Sequence, residues 1–278
     1  MKCMFRFFFL LSFVMFVFIN KAISQEDSNV SGADNLVEVE AYTETAGTVS
    51  VENQTDLLAP YRSRRSKHGI TFSFGTEKFY PKNYLSFLDN ATIDQILKSQ
   101  PINLFAVDIG YKYNFNLGSL TFNYNYASGS GTGSFKNESR NIDFQRQTLS
   151  AGYYADSLFS EPWVVPYGSV GLSQFHISEE EYNSTGTLAD DSAITDPILN
   201  YKVGVLFQLN WIESGIDSNT HVDGLRSSGL ENTYLDLYFS WYQPTKETFD
   251  IKNPVGTADL DPDLRAEAQL GLGLKLEF

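Results

Sequence analysis

Cysteine is almost missing: Cys3 is the only one in 278 residues. It stands at the extreme N-terminus, so disulfide frameworks and thiolate metal sites have no material in the rest of the chain. Histidine is nearly as scarce, with only His68, His176 and His221, which leaves little for zinc ligation or acid–base chemistry. Cations are outnumbered, 20 Lys and Arg against 34 Asp and Glu, for a net charge of −14. That balance argues against nucleic acid as a partner and against polybasic attraction of the whole chain to anionic lipid. After residue 24 no apolar run approaches the roughly 20 residues of a spanning helix.

What is present is ordered from one end to the other. Lys2 and Arg6 precede Phe7–Ile19, apolar except for Ser12, and Ala22-Ile23-Ser24 follows as a small-x-small triplet. This is the pattern of a cleaved export signal over 1–24, with Gln25 as the new N-terminus; the apolar stretch is short for an anchor. Cleavage removes Lys2, Arg6 and Lys21 and takes the net charge from −14 to −17. It also removes Cys3, which therefore cannot serve as a lipidation point.

From Gln25 to Ala59 there is no Lys or Arg and there are eight acidic residues, without a sustained period. Residues 25–66 read as an acidic, mostly disordered tail. It ends in a basic cluster, Arg62, Arg64, Arg65 and Lys67. The preferred reading of that cluster is a solvated collar; the sharper one is a site that grips a partner.

The remainder, 67–278, falls into eight strand-like runs at about 68–78, 102–116, 118–128, 145–156, 163–177, 198–212, 233–243 and 265–278. In the last, Ala266, Ala268, Leu270, Leu272, Leu274, Leu276 and Phe278 share one face, and Arg265, Glu267, Gln269, Gly271, Gly273, Lys275 and Glu277 the other. Runs of about ten residues or more suit tilted strands crossing a bilayer. Hydrocarbon outside and a polar interior would produce this alternation.

The closing segment resembles the last strand of bacterial outer-membrane β-barrels, and its terminal Phe278 resembles the signal their assembly machinery reads. The chain as a whole resembles the small eight-stranded family typified by OmpA, OmpX and OmpW. That resemblance implies an all-β, closed antiparallel transmembrane barrel, located in the cell outer membrane, with its acidic tail in the periplasm. Outer-membrane lipid, including lipopolysaccharide, and the barrel assembly machinery are the implied partners.

Connection lengths agree, because such barrels alternate short and long links. Asn116-Leu117-Gly118 and Ser157–Pro162 are short, whereas 79–101, 129–144, 178–197 and 244–264 are long. The link Glu213–Asn232 departs, being long where a short turn is expected. Ten strands follow if it or the first long link hides a hairpin. Tyr80, Tyr84, Trp163, Tyr167, Trp211, Trp241 and Tyr242 lie near strand ends, as interfacial aromatic belts require.

The inward set contains Asp108, Lys112, Arg146, Lys202, Asp236, Arg265, Glu267, Lys275 and Glu277. Both signs occur in similar number, and eight strands enclose an interior that side chains just fill. The expectation is a salt-bridged polar lumen, with a narrow path for small or hydrophobic solutes as the alternative.

No catalytic, cofactor or metal site is expected. His176-Ile177-Ser178 resembles the His-x-Ser element of lipid A deacylase barrels, with Asp190 as the acid. Yet Glu179-Glu180-Glu181 follows where that family has small or amide residues, so hydrolysis is the remote alternative. Asp259, Asp261 and Asp263 begin like a calcium loop, but Leu264 replaces the turn glycine and Leu270 the closing Glu. Gly129, Gly131 and Gly133 lie in a Ser/Gly-rich stretch with no helix behind it, which reads as a flexible loop. The function expected is non-enzymatic: a structural or surface-contact role through long external loops.

Overall fold

A computed structural model of the chain describes residues 60–183, 186–210, 229–244 and 263–278. The export segment, the tail to residue 59, Trp211, His221, Asp259, Asp261 and residues 213–228 of the departing link lie outside them. Nine strands are β1 (His68–Phe79), β2 (Ile102–Phe115), β3 (Gly118–Phe135), β4 (Glu138–Tyr154), β5 (Val164–Asn183), β6 (Gly186–Ile194), β7 (Ile198–Gln208), β8 (Asn232–Tyr242) and β9 (Ala266–Glu277). Among the described residues two short helices accompany them, α1 (Tyr61–Arg64) and α2 (Ile93–Leu97).

The sheet closes on itself. Neighbours run β1-β2-β3-β4-β5-β7-β8-β9 and back to β1, all antiparallel. The ring therefore has eight positions. At the seam Thr71–Glu77 pair with Glu277–Gly271, and Ile70 and Phe278 exchange backbone bonds of 2.9 and 2.8 Å. The ninth strand, β6, pairs with His176–Asn183 of β5, beyond the stretch Val164–Ser173 that β7 occupies. Thr195-Asp196-Pro197 separates β6 from β7, and a proline has no N–H to continue a ladder.

Alternation decides which side of the wall each residue takes. Ile70, Phe72, Phe74, Phe105, Ile109, Phe122, Leu172, Val203, Phe239, Leu270 and Leu272 face outward at 37–55% exposure. Apolar side chains exposed as a continuous belt are the surface that hydrocarbon covers. No helix among the described residues is long and apolar enough to cross a membrane.

Strands β3, β4 and β5 run 18, 17 and 20 residues, against about 9–11 for a crossing. After Tyr126 the outward residues of β3 become Ser128, Ser130, Thr132 and Ser134, so the excess stands clear of the belt. The links 129–144 and 178–197 are thus not loops but the outer halves of two hairpins, forming a four-stranded flange with β6. Lys136 and Asn137 turn the first hairpin with φ of 52° and 69°, the paired left-handed geometry of a two-residue turn matched to strand twist. The Ser/Gly-rich stretch reads as loop in sequence because its apolar signal is missing. Its glycines face the interior, and two of them receive a helix, as described below.

One register shift overturns a sequence expectation. Ser240 pairs with Gln269, but Tyr242 pairs with Ala266, so Glu267 and Ala268 together oppose Trp241. This one-residue bulge in β9 reverses the faces beyond it. Ala266 is buried, whereas Arg265 and Glu267 are exposed. Neither belongs to the lumen; Glu267 instead pairs on the surface with Lys82 at 3.1 Å. The aromatic-belt expectation also fails in part. Tyr84, Tyr167 and Tyr242 are buried, because each lies at an inward position or within the first long link, which folds into the barrel.

Candidate functional site

The interior is stacked in levels from the end holding residues 60–67, Phe278 and the short turns (the turn end) to the end holding the flange (the hairpin end). At the turn end, Lys112 of β2 meets Glu277 of β9 and Asp156 Oδ2 at 2.7 Å. Tyr61, carried into the mouth by α1, donates to Glu277 at 2.5 Å and accepts from Lys112 at 2.8 Å. Asn232 and Tyr234 donate to the other Glu277 oxygen at 3.2 and 3.1 Å. Arg65 binds Asp156 at 2.7 Å and the Phe115 carbonyl at 2.5 Å. The collar expectation is therefore wrong for Arg65, which turns inward to hold the Asp156 oxygen that Lys112 and Ser119 leave free.

Electrostatics at this mouth follow from that pairing. Burial pushes the Asp156 carboxyl up, but Lys112, the Ser119 hydroxyl and Arg65 overcome it and hold the group below its ordinary value. Glu231, at the mouth beside Glu277, lacks an equal set of donors. Burial and the Glu277 charge push it up to about 7.

The middle level is aromatic and cationic. Tyr154 and Tyr167 stack at 4.6 Å, Lys275 donates to Tyr154 at 3.2 Å, and Tyr167 donates to Asp236 at 2.8 Å. Lys202 lies 4.2 Å from the Tyr238 ring centroid, and Asp108 is buried on β2. Above them Glu77 accepts from Arg146 at 2.9 Å, Tyr242 at 2.7 Å and Ser240 at 3.0 Å. Arg146 also donates to Asn125 at 3.0 Å. An enclosed void of about 10 Å³ touches Thr71, Lys112, Thr121 and Lys275, the room of about one water.

Polarity then ends abruptly. Phe79 stacks on Phe175 at 5.2 Å and meets Phe144 edge-on at 5.4 Å, with Tyr242 at 5.6 Å. Residues 80–101 fold into the hairpin end over this layer as a plug, burying Tyr84, Ala91, Ile93, Ile96 and Leu97. Helix α2 is started by a capping box between Thr92 and Gln95 and ended by Lys98 in the left-handed region. Its backbone presses on β3, where a Cβ at Gly133 would collide with the Ile96 carbonyl, and one at Gly131 would lie 2.9 Å from Leu97. Gly131 and Gly133 therefore make room for a helix, and Gly129 for the Asn103 carbonyl of β2.

The plug is tied to the flange by a second polar group. Tyr84 and Ser86 donate to buried Glu179, the latter at 2.6 Å. Arg140 pairs with Asp89 and Glu181 at 3.1 Å each and donates to Ser86 at 3.0 Å. Burial and the Glu179 charge push the Tyr84 hydroxyl well above its ordinary value, keeping it a donor.

Of the expected lumen residues, Asp108, Lys112, Arg146, Asp236, Lys275 and Glu277 are buried inside, Lys202 is partly so, and Arg265 and Glu267 are outside. Reading by sequence missed Glu77, although its parity in the run 68–78 places it inward. Arg140, Glu179 and Glu181 were hidden in segments read as loops, Asp156 at the last position of a run read as strand, and Tyr61 in the tail. His176 and Asp190 are exposed on β5 and β6, and no hydrogen bond among the described residues joins them with Ser178. Asp263 caps Arg265 N at 2.9 Å and accepts from Asn83 at 3.1 Å. Among the described residues no group of three His, Cys, Asp or Glu side chains is arranged to hold a metal.

Fold and interior define a small transmembrane β-barrel whose lumen is packed with side chains along the described strands, with a cleft of about 690 Å³ open at the hairpin end beside Ile96, Leu97, Thr132 and Arg140. No protein-family model and no curated protein matches the chain. Solved structures with a similar form include the N-terminal barrel domain of Pseudomonas aeruginosa OprF (13% identity, 77% of this chain and 98% of that one, TM-score 0.38). Ail, the attachment invasion locus protein of Yersinia pestis, matches at 11% identity over 76% of this chain and 97% of its own, TM-score 0.39. Neisserial surface protein A matches at 14% over 77% and 98%, TM-score 0.38. At such identities and scores the barrel rests on its own strand pairing.

Proposed function

We propose that this is a non-enzymatic outer-membrane barrel that acts by surface contact through its hairpin-end flange. The observation that carries the reading is the flange itself. Strands β3 to β6 stand beyond the apolar belt as a stiff sheet, braced from within by a plug, above a lumen packed with side chains. A rigid sheet presents a contact surface at lower ordering cost than mobile loops would. In this reading the flange faces away from the cell, lipopolysaccharide surrounds the upper belt, and the assembly machinery engages β9 and Phe278.

Orientation and role can be tested together. With Cys3 replaced by Ser, single cysteines at Ser134 and Leu158 report the two ends in intact cells through a membrane-impermeant maleimide. Labelling at Ser134 alone is expected; labelling at Leu158 alone would invert the reading. Shortening both hairpins to the level of the belt should abolish attachment to protein-coated surfaces while leaving a heat-modifiable barrel. Unchanged attachment would remove the contact role, and discrete single-channel steps from the intact protein in planar bilayers would favour a transporter.

A further inference from the structure

We infer that the turn-end rim over β1 and β2 is a docking surface for the phosphate headgroups of anionic phospholipid in the leaflet at that end. Residues 60–68 carry four cations, Arg62, Arg64, Arg65 and Lys67, and no carboxylate. Arg65 is spent inside on Asp156. Among the described residues, neither Arg62 nor Lys67 has a carboxylate within ion-pair distance. Two exposed lysines at the hairpin end differ, since Lys82 faces Glu267 at 3.1 Å and Lys136 faces Asp89 at 3.9 Å. Lys78, Lys98 and Arg265 at that end have no such partner among the described residues either, but they lie on separate segments, whereas Arg62 and Lys67 share one short stretch of rim. Beside the helix Glu161 accepts from the Tyr61 N–H at 2.8 Å, and Glu231 is close enough to Arg64 to feel its charge.

The rim is also continuous with the belt. Ile70, Phe72 and Phe74 lead along one face of β1 to His68, which pairs across the ladder with Tyr113. His68 Nδ1 lies 2.5 Å from the Tyr111 hydroxyl, with ring centroids 6.0 Å from Tyr111 and 5.5 Å from Tyr113. Lys67 Nζ is 5.6 Å from the Tyr113 centroid. Apolar bodies face hydrocarbon while hydroxyl, imidazole and ammonium groups gather at its edge, the depth at which lipid phosphates lie. The strong negative charge of the whole chain does not oppose this. Exposed charges beyond about 8–10 Å are screened at ordinary salt, so a bilayer senses the rim rather than the total.

The full chain, reconstituted in phosphatidylcholine vesicles, should restrict spin-labelled phosphatidylglycerol more than spin-labelled phosphatidylcholine, by about two- to threefold in relative association. Lys67→Gln with His68→Gln should bring the ratio to about one, and Lys67→Arg should keep it. Arg62→Gln with Lys67→Gln leaves every strand residue intact and should act alike if the first variant fails to fold. Lys82→Gln with Lys98→Gln, at the other end, should change nothing. No selectivity in the parent chain, selectivity surviving both rim variants, or equal loss in the hairpin-end variant would each overturn the inference.

Discussion

The two halves of the lumen are filled by opposite means. In the turn-end half, Lys112, Glu277, Asp156 and Arg65 are ionised groups removed from water and held by one another and by Tyr61, Tyr234 and Asn232. In the hairpin-end half, Phe79, Phe144, Phe175, Ile93, Ile96 and Leu97 pack as the core of a soluble domain would. Apolar burial tolerates small repacking, because its attraction has no direction. A buried ion does not, because each lost partner leaves an uncompensated charge. The turn end therefore sets register and closure of the ring, and the hairpin end sets the stiffness of the flange.

The strongest way to break this contrast is at Lys112. Lys112→Met leaves Glu277 and Asp156 buried together, and urea unfolding from vesicles should show about 3–5 kcal/mol lost. Replacing Glu77 and Arg146 together by Leu and Met should cost far less than either change alone. A double variant as unstable as the single ones would contradict the account of paired desolvation. At the other end, Ile96→Ala should remove about 2–5 kcal/mol locally. Amide exchange is expected to rise in 80–101 and in the outer halves of β3 to β5, while the gel heat shift at the β1–β9 seam persists. Tyr84→Phe removes one charge-assisted hydrogen bond from Glu179 and should cost about 1.5–3 kcal/mol by the same readout.

The mildest test is pH. Glu231 titrates near 7 in the folded barrel, above its ordinary 4.5, so the folded state holds the extra proton between those values. Stability should then fall as pH rises from about 4.5 to 7, with a slope bounded at about 1.4 kcal/mol per unit. Glu231→Gln should flatten it. Asp156 works the other way: its lowered value makes a contribution present at neutral pH and lost on acidification through the carboxylate range.

Much of this molecule could be read along the chain, and the parts that could not have physical reasons. Strict alternation marks the belt and most of the lumen, since a wall between hydrocarbon and a polar interior imposes period two on every crossing. The flange escaped because both its faces avoid lipid: Ser130, Thr132 and Ser134 meet water while Gly131 and Gly133 meet a helix and Gly129 the backbone of β2, so no apolar stripe remains. Arg265 and Glu267 were misplaced because a bulge costs one residue and leaves no mark in composition.

The amino-acid order alone thus determined the antiparallel strands, their outward faces, the ring of eight and the inward polar residues, because these depend on local period and hydrophobicity. Tertiary structure decided which charges meet, that the first long link becomes a plug, that Arg65 and Tyr61 seal the mouth, and where β9 changes face. Those outcomes depend on which surfaces the closed ring brings within a few ångströms, and no local pattern encodes that distance.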